Sequence, residues 1–166
     1  PAVIVVNGCE EDYPLREREN LLNRITEVAA SLVFFTVRIK QEMGFITTGK
    51  DGESGERPVA PVKAGYGNAV HILEILSKLQ LSSDYVNPGE FLFKSGISIP
   101  NGAKVLLVSP PLKEEEALVL MGHRKRGLQV ELFEVHSRHM SSKNQFAHDL
   151  KTHQIREYGE ELIDAR

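Results

Sequence analysis

The residues best suited to chemistry in this sequence follow its first apolar run. Four β-branched residues, Val3 to Val6, lead directly into the stretch Asn7 to Asp12, which reads Asn-Gly-Cys-Glu-Glu-Asp. An amide, a thiol and three carboxylates at the end of a buried strand suit a metal site, a nucleophile pocket or a polar turn. The sequence around this stretch has to decide among these three hypotheses.

A thiol enzyme is one hypothesis, because Cys9 is the only cysteine of the chain. A cysteine nucleophile needs a lowered pKa and a base within reach. A following helix N-terminus would favour the thiolate, whereas the adjacent acids disfavour it. His136 is the candidate base, which gives a thiol-dependent hydrolase or transferase using Cys9 and His136. With His139, the same two side chains are also a possible zinc set. The competing interpretation of Cys9 is a small buried side chain.

Strand-like runs alternate with helical segments along the chain, and this alternation indicates how the candidate residues are positioned. Such an order predicts parallel pairing through helical crossovers, hence an α/β fold: a three-layer Rossmann-like sandwich with a mostly parallel central sheet. The predicted strands cover 3–6, 44–48, 104–108, 128–135 and 153–158, with an edge strand at 59–62. The predicted helices are a long one ending at Gly44, then 68–81 capped by Asn68, 90–94, 112–126, one from Ser141 or Ser142 to 150, and 159–166.

Ligands of open α/β sheets bind beyond the carboxyl ends of the strands. We therefore expect the loops that follow the strands to form one binding rim, joined by the polar, Gly-rich and mobile loop 49–58 and the Pro110-Pro111 turn. The candidate rim residues are Asn7, Gly8, Cys9, Glu11, Gly67, Asn68, Ser109, Pro110 and His136.

Composition excludes several classes of function. The 166 residues, suited to a single domain, carry 20 basic and 23 acidic side chains for a net charge of −3, which gives no field to attract nucleic acid. No apolar run approaches the roughly 20 residues of a membrane span, so no direct membrane contact is expected. Gly65-Tyr66-Gly67-Asn68 lacks the spacing of a dinucleotide or Walker loop, and no cofactor is expected.

Four segments resemble one bacterial family: "AASLVFFTVRIKQEMGFITTG", "GYGNAVHILEILSKLQ", "GAKVLLVSPPLKEEEALVLMGHRKRGLQVELFEV" and "HQIREYGEELIDAR". This is the domain-of-unknown-function 58 family, whose C-terminal half is similar to a von Willebrand factor A domain. The resemblance extends from Val3 to Arg166. It implies a single von Willebrand A-like domain over 1–166, the C-terminal fragment of a longer cytoplasmic protein tethered to the membrane through an N-terminal region. It also implies a MoxR-type AAA+ ATPase as partner.

The resemblance further implies a metal-ion-dependent adhesion site with an Asp-x-Ser-x-Ser motif after the first strand. Here that motif reads Asn7-Gly8-Cys9-Glu10-Glu11, Ser109 stands at the later Asp position, and the loop 64–68 offers no Thr. Mg²⁺ prefers hard oxygen ligands, so we expect a degenerate site without metal. The prediction is a noncatalytic protein–protein interaction module that works with the ATPase in protein assembly or maturation. The thiol enzyme and a divalent-cation-binding adhesion domain remain as alternatives.

Overall fold

A computed structural model describes residues 1–138, 140, 150–156 and 163–165 of the chain. Within these ranges, seven strands form one sheet: β1 (Ala2–Val6), β2 (Met43–Thr47), β4 (Val59–Lys63), β6 (Lys104–Ser109), β7 (Gln129–Val135), β8 (Lys151–Ile155) and β9 (Ile163–Ala165). Two short strands, β3 (Lys50–Asp51) and β5 (Leu79–Gln80), pair separately. The helices are α1 (Arg18–Arg38), α2 (Tyr66–Ser77), α3 (Pro88–Lys94) and α4 (Glu114–Lys125), with a 3₁₀ turn at Glu10–Asp12.

The strand order of the large sheet is β4-β2-β1-β6-β7-β8-β9. The five central strands are mutually parallel, and β4 and β9 run antiparallel at the two edges. After β1, the chain adds β2 and β4 on one side of β1 and then β6 to β9 on the other side. The topological switch point therefore lies between β1 and β6. The predicted fold class, an α/β sandwich around a mostly parallel sheet, is confirmed.

Two apolar layers cover the sheet. Side chains alternate along β1: Ile4 and Val6 belong to the cluster with α1 and α2, whereas Val3 and Val5 belong to the cluster with α3 and α4. This alternation is why the first run is apolar without interruption, since a strand covered on both faces needs no polar face. The buried stripe of α1 repeats at helical spacing: Leu21, Ile25, Ala29, Val33 and Thr36. A stripe centred on Leu21, Ile25, Val28, Leu32 and Phe35 is expected from the sequence, but Phe35 is 54% exposed.

The direction of β4 corrects one prediction. The connection 48–58 between β2 and β4 contains no crossover helix, and the two strands are antiparallel. The loop after β4 therefore lies at the amino edge of the sheet, where Asn68 Nδ2 donates to the carbonyl of Met43, the first residue of β2, at 2.7 Å. Placing Gly67 and Asn68 on the same rim as Asn7 was wrong.

Three further differences concern local structure. Gly65, with a φ of +102°, is the N-cap of α2 in place of Asn68. The predicted helix at 159–166 is wrong at 163–165, which form β9 against β8; the remainder of that segment lies outside the described residues. The predicted helix from Ser141 or Ser142 also lies outside them, except at its last residue, and so does His139. No helix in the described part is long and apolar enough to cross a membrane.

Candidate functional site

The switch point brings together two of the predicted residues. Val6 and Val108 are in register, so Asn7 after β1 and Ser109 at the end of β6 are neighbours. Asn7 Nδ2 donates to Ser109 Oγ at 3.0 Å, and the Asn7 amide donates to the Val108 carbonyl at 2.9 Å. The carboxyl edge between β1 and β6 is therefore the candidate site.

The orientation of the Asn7 side chain is fixed by its partners. Its Oδ1 accepts from the backbone N–H of Cys9 at 3.0 Å and from Thr48 Oγ1 at 3.3 Å. Because a backbone N–H can only donate, the oxygen must face Cys9, and the NH₂ group faces Ser109 Oγ and Asp12 Oδ2, the latter at 2.9 Å. Asn7 thus presents hydrogen-bond donors, where a carboxylate would present acceptors.

The loop after β1 is hydrogen-bonded to the loops after β2 and β5. The Gly8 N–H donates to Thr48 Oγ1 at 2.9 Å, and a Cβ added at Gly8 would lie 2.5 Å from Gly49 Cα. Ser82 donates to the Gly8 carbonyl at 2.8 Å and accepts from the Glu10 N–H at 2.9 Å. Glycine at position 8 is therefore required by the close approach of two backbones.

An ammonium group lies among the carboxylates of the site. Lys113 Nζ is 3.0 Å from Asp12 Oδ1, pairs also with Glu11, and lies 4.6 Å from the centre of the Tyr85 ring. Partial burial alone would lower the pKa of Lys113, but the bonds to Glu11 and Asp12 outweigh it and raise the pKa above its usual value. The side chain of Asp12 is only 1% exposed, so its negative charge is balanced from within the protein.

A second buried carboxyl completes the cluster. Glu116, in the first turn of α4, is fully buried, and its Oε1 accepts from the Lys113 N–H at 2.9 Å. Burial, together with the charge of Asp12, raises the pKa of Glu116 to about 8. The other oxygen, Oε2, is buried without a hydrogen-bond partner in the described structure. We interpret both facts as a proton held on Glu116 and directed at the neighbouring Asp12 carboxylate, whose charge contributes to the raised pKa.

These side chains do not fit a divalent cation. Mg²⁺ needs oxygen lone pairs in near-octahedral arrangement, whereas Asn7 directs N–H groups at Asp12 and Ser109, and Lys113 already pairs with Glu11 and Asp12. In the described part of the chain, no group of three or more His, Cys, Asp or Glu side chains is arranged to hold a metal ion. At the positions that the resemblance assigns to an adhesion site, the described side chains make hydrogen bonds and an ion pair with one another.

Cys9 and His136 have separate partners. Cys9 is fully buried, its Sγ donates to the Val86 carbonyl at 3.1 Å, and burial raises the pKa of the thiol. His136 is also buried, with Nε2 2.6 Å from Oε1 of Glu134. Among the described residues, no hydrogen bond joins Cys9 to His136. A buried thiol with a raised pKa and no hydrogen bond to His136 is poorly suited to nucleophilic attack.

Most of the predicted rim residues cannot contact a partner directly, because the fold buries them. Glu11 is exposed at the switch point, and Gly67 and Asn68 lie at the opposite edge. The buried members are Asn7, Gly8, Cys9, Ser109, Pro110 and His136. They lie beneath the surface of the site, and the exposed residues around Lys113 form that surface: Tyr85, Glu114 and Glu115.

Four residues of the site were not among the candidates: Asp12, Thr48, Lys113 and Glu116. In the sequence, Asp12 is typical of an acid at a helix start, Thr48 ends a predicted strand, and Glu116 is one of three acids that open a predicted helix. Glu116 stands three residues after Lys113 and accepts from its backbone N–H, which is one half of a capping box; the ammonium of Lys113 has no acceptor for the other half. Lysine is unusual at the N-cap position of a helix, and this is the sequence signal that could have identified Lys113 as the partner of a buried carboxylate.

No model of a known protein family matches the chain, and no curated protein sequence matches it. Solved structures do match. BatB, a conserved hypothetical protein from Bacteroides thetaiotaomicron, is 14% identical with a TM-score of 0.51; the match covers 81% of this chain and 65% of that one. The SpRpn10 VWA domain is 12% identical with a TM-score of 0.49, covering 93% and 86%. Proximal thread matrix protein 1 of the mussel byssus is 13% identical with a TM-score of 0.46, covering 81% and 38%.

The likeness to BatB concerns the fold alone, since 14% identity carries no information on binding or activity. The chain spans about two thirds of the BatB chain. Together with the strand order β4-β2-β1-β6-β7-β8, the likeness supports an α/β sandwich around a mostly parallel sheet like that of BatB.

Proposed function

We propose that this chain is a noncatalytic protein-interaction domain whose strand-end site is organised by the Lys113 ammonium in place of a metal ion. The observation that carries the proposal is the position of Lys113 Nζ, 3.0 Å from the buried Asp12 carboxylate and paired with Glu11. Because Lys113 belongs to the chain itself, its charge always stands beside the buried Asp12 carboxylate, so the loops keep one arrangement without a bound ligand. Protein recognition is a common use of von Willebrand A-like folds, and a rigid loop surface suits it.

The surface above this site is acidic. Glu114 and Glu115 are exposed in the first turn of α4, and half of the Glu11 side chain is exposed beside them. Lys113 compensates only Glu11 and the buried Asp12. Such a surface is complementary to a partner with lysine or arginine side chains at its centre of contact.

The partner we propose is a MoxR-type AAA+ ATPase, and the process is assembly or maturation of other proteins. The resemblance of four segments to the domain-of-unknown-function 58 family supports this choice. On the same resemblance, the domain works in the cytoplasm as the C-terminal part of a membrane-tethered protein.

Biolayer interferometry between the chain and a MoxR-type ATPase of the same genome tests the proposal. We expect saturable binding that EDTA leaves unchanged, and about tenfold weaker binding after Glu115→Lys, because the rim then repels a basic partner. Glu74→Lys, at an exposed position of α2, makes the same charge change on a different element and should leave the affinity unchanged. Absence of binding, loss of binding in EDTA, or equal weakening by both variants would overturn the proposal.

A further inference from the structure

A groove of about 580 Å³ lies beside the switch point and uses none of the carboxylates paired with Lys113. Its walls come from the loop after β2, the segment that follows β5, and α3. The groove is lined by three cationic side chains and one aromatic ring: Lys50, Arg57, Lys94 and Phe91. The volume is that of a small-ligand site.

Arg57 is held in place by the backbone. Its Nε donates to the Thr48 carbonyl at 3.1 Å, its Nη2 donates to the Asp84 carbonyl at 3.0 Å, and its guanidinium lies 5.7 Å from the centre of the Phe91 ring. Two of its five N–H donors are therefore used, and three are left. The protein thus fixes the guanidinium before any ligand arrives, which lowers the entropic cost of binding.

No carboxylate neutralises this guanidinium. Among the described residues Arg57 makes no ion pair, although it is half-buried. Lys50 likewise makes none, and Lys94 has only a long pair with Glu90 at 3.8 Å. A partly desolvated cation without a counter-charge is unfavourable and is stabilised by an arriving anion.

The acids of the groove do not remove this imbalance. Glu56 and Asp84 line it as well, giving three cations against two carboxylates, but both acids are exposed and solvated. Asp84 contributes its carbonyl to Arg57, and its carboxylate makes no ion pair in the described structure. The lining side chains therefore carry one more positive than negative charge, in a chain whose net charge is −3.

We propose that this groove binds an oxyanion, a phosphate or carboxylate group, which takes paired hydrogen bonds from Arg57 and is enclosed by the ammonium groups of Lys50 and Lys94. Planar guanidinium donors match the spacing of two oxygens on such a group. The Phe91 ring supplies an apolar wall for whatever carries the anion. This inference goes beyond the proposed function, because the groove residues are distinct from the acidic rim. The oxyanion belongs either to a small phosphorylated molecule or to an acidic side chain of a protein.

Titrations of the ¹⁵N-labelled chain with inorganic phosphate and with a blocked di-glutamate peptide test this site. We expect saturable shifts at the amides of Arg57, Ser83 and Asp84 with at least one probe. Arg57→Gln should weaken that binding about tenfold, because it removes the charge and the paired donors. Lys50→Gln should weaken it about threefold. It leaves the backbone contacts of Arg57 intact, so it tests the site even if Arg57→Gln fails to fold.

Arg124→Gln, which removes one positive charge at an exposed position of α4, is the matched control and should bind like the unmodified chain. Tighter binding of phosphate would assign the groove to a small phosphorylated ligand, and tighter binding of the peptide to a protein carboxylate; either supports an oxyanion site. Shifts that do not saturate with either probe, or affinities that Arg57→Gln and Lys50→Gln leave unchanged, would refute it. Neither refuting result depends on the ATPase.

Discussion

Replacing Glu116 with Gln tests the proton that we place between the two buried carboxyls. Glutamine keeps the size of the side chain and the acceptor for the Lys113 N–H, and its NH₂ group provides the donor that a protonated Glu116 offers to Asp12. It cannot ionise, so any pH dependence that Glu116 contributes disappears. The variant therefore removes a titration and leaves the packing of a fully buried position in place.

The expected magnitude follows from the two pKa values of the group. Burial raises the pKa of Glu116 from 4.5 to about 8 in the folded chain. Glu116 binds its proton more tightly in the folded chain than in the unfolded chain. Its contribution to the free energy of unfolding is therefore fully present at pH values below the pKa of the unfolded chain, and it declines as the pH rises towards the pKa of the folded chain. The decline is about 1.4 kcal/mol per pH unit in that window, or on the order of 3 kcal/mol between about pH 5 and about pH 7.

Urea unfolding followed by circular dichroism, at about one-unit steps from pH 5 to pH 8, measures this difference. The free energy of unfolding of the unmodified chain should fall relative to that of Glu116→Gln by about 3 kcal/mol over the first two units. Glu115→Gln, an exposed neighbour on α4, should follow the unmodified chain at every pH. If Glu116→Gln also follows it in parallel, Glu116 is ionised in the folded chain and the shared proton does not exist.

Two further predictions concern the loop after β1. In the wild-type chain, Asn7 Nδ2 lies 2.9 Å from Asp12 Oδ2, so Asn7→Asp places a second carboxylate against Asp12. The substitution should lower the free energy of unfolding by about 2–4 kcal/mol near neutral pH in EDTA, and by less in acid. An unchanged melting temperature would contradict the hydrogen bonds assigned to Asn7. Gly8→Ala should cost about 2–3 kcal/mol, because its Cβ meets Gly49 backbone at 2.5 Å, whereas Gly67→Ala, in open space on α2, should be neutral or stabilising by about 0.5 kcal/mol. Equal unfolding midpoints for the two alanine variants in urea would contradict that close approach.

The sequence by itself determined the layered α/β fold, because local chemistry encodes each part of it. Continuous β-branched runs such as Val3 to Val6 occur where a strand is covered on both faces, and the helical repeat from Leu21 to Val33 defines the face that α1 buries. The ends of the same apolar runs predicted that β1 ends before Asn7 and β6 near Ser109. Their adjacency was predicted because parallel strands end at a common edge.

Only the tertiary structure decided which way β4 runs and hence on which edge Asn68 lies. The residue pattern of an edge strand is the same whether the strand is parallel or antiparallel to its neighbour. The orientation of β4 depends on the connection 48–58, which carries no apolar repeat that would indicate a crossover helix. The sequence therefore could not separate the loop at Gly67 from the site.

The tertiary structure also decided the electrostatics of the site. Lys113 and Asp12 are about a hundred positions apart along the chain, and each has an ordinary local explanation at the end of a helix. Their contact, the proton on Glu116 and the raised pKa of Cys9 all depend on burial, which a local pattern does not specify. The sequence showed that Asn7, Cys9 and Ser109 stand where the resemblance implies metal ligands, and only the tertiary structure placed Lys113 beside Glu11 and Asp12.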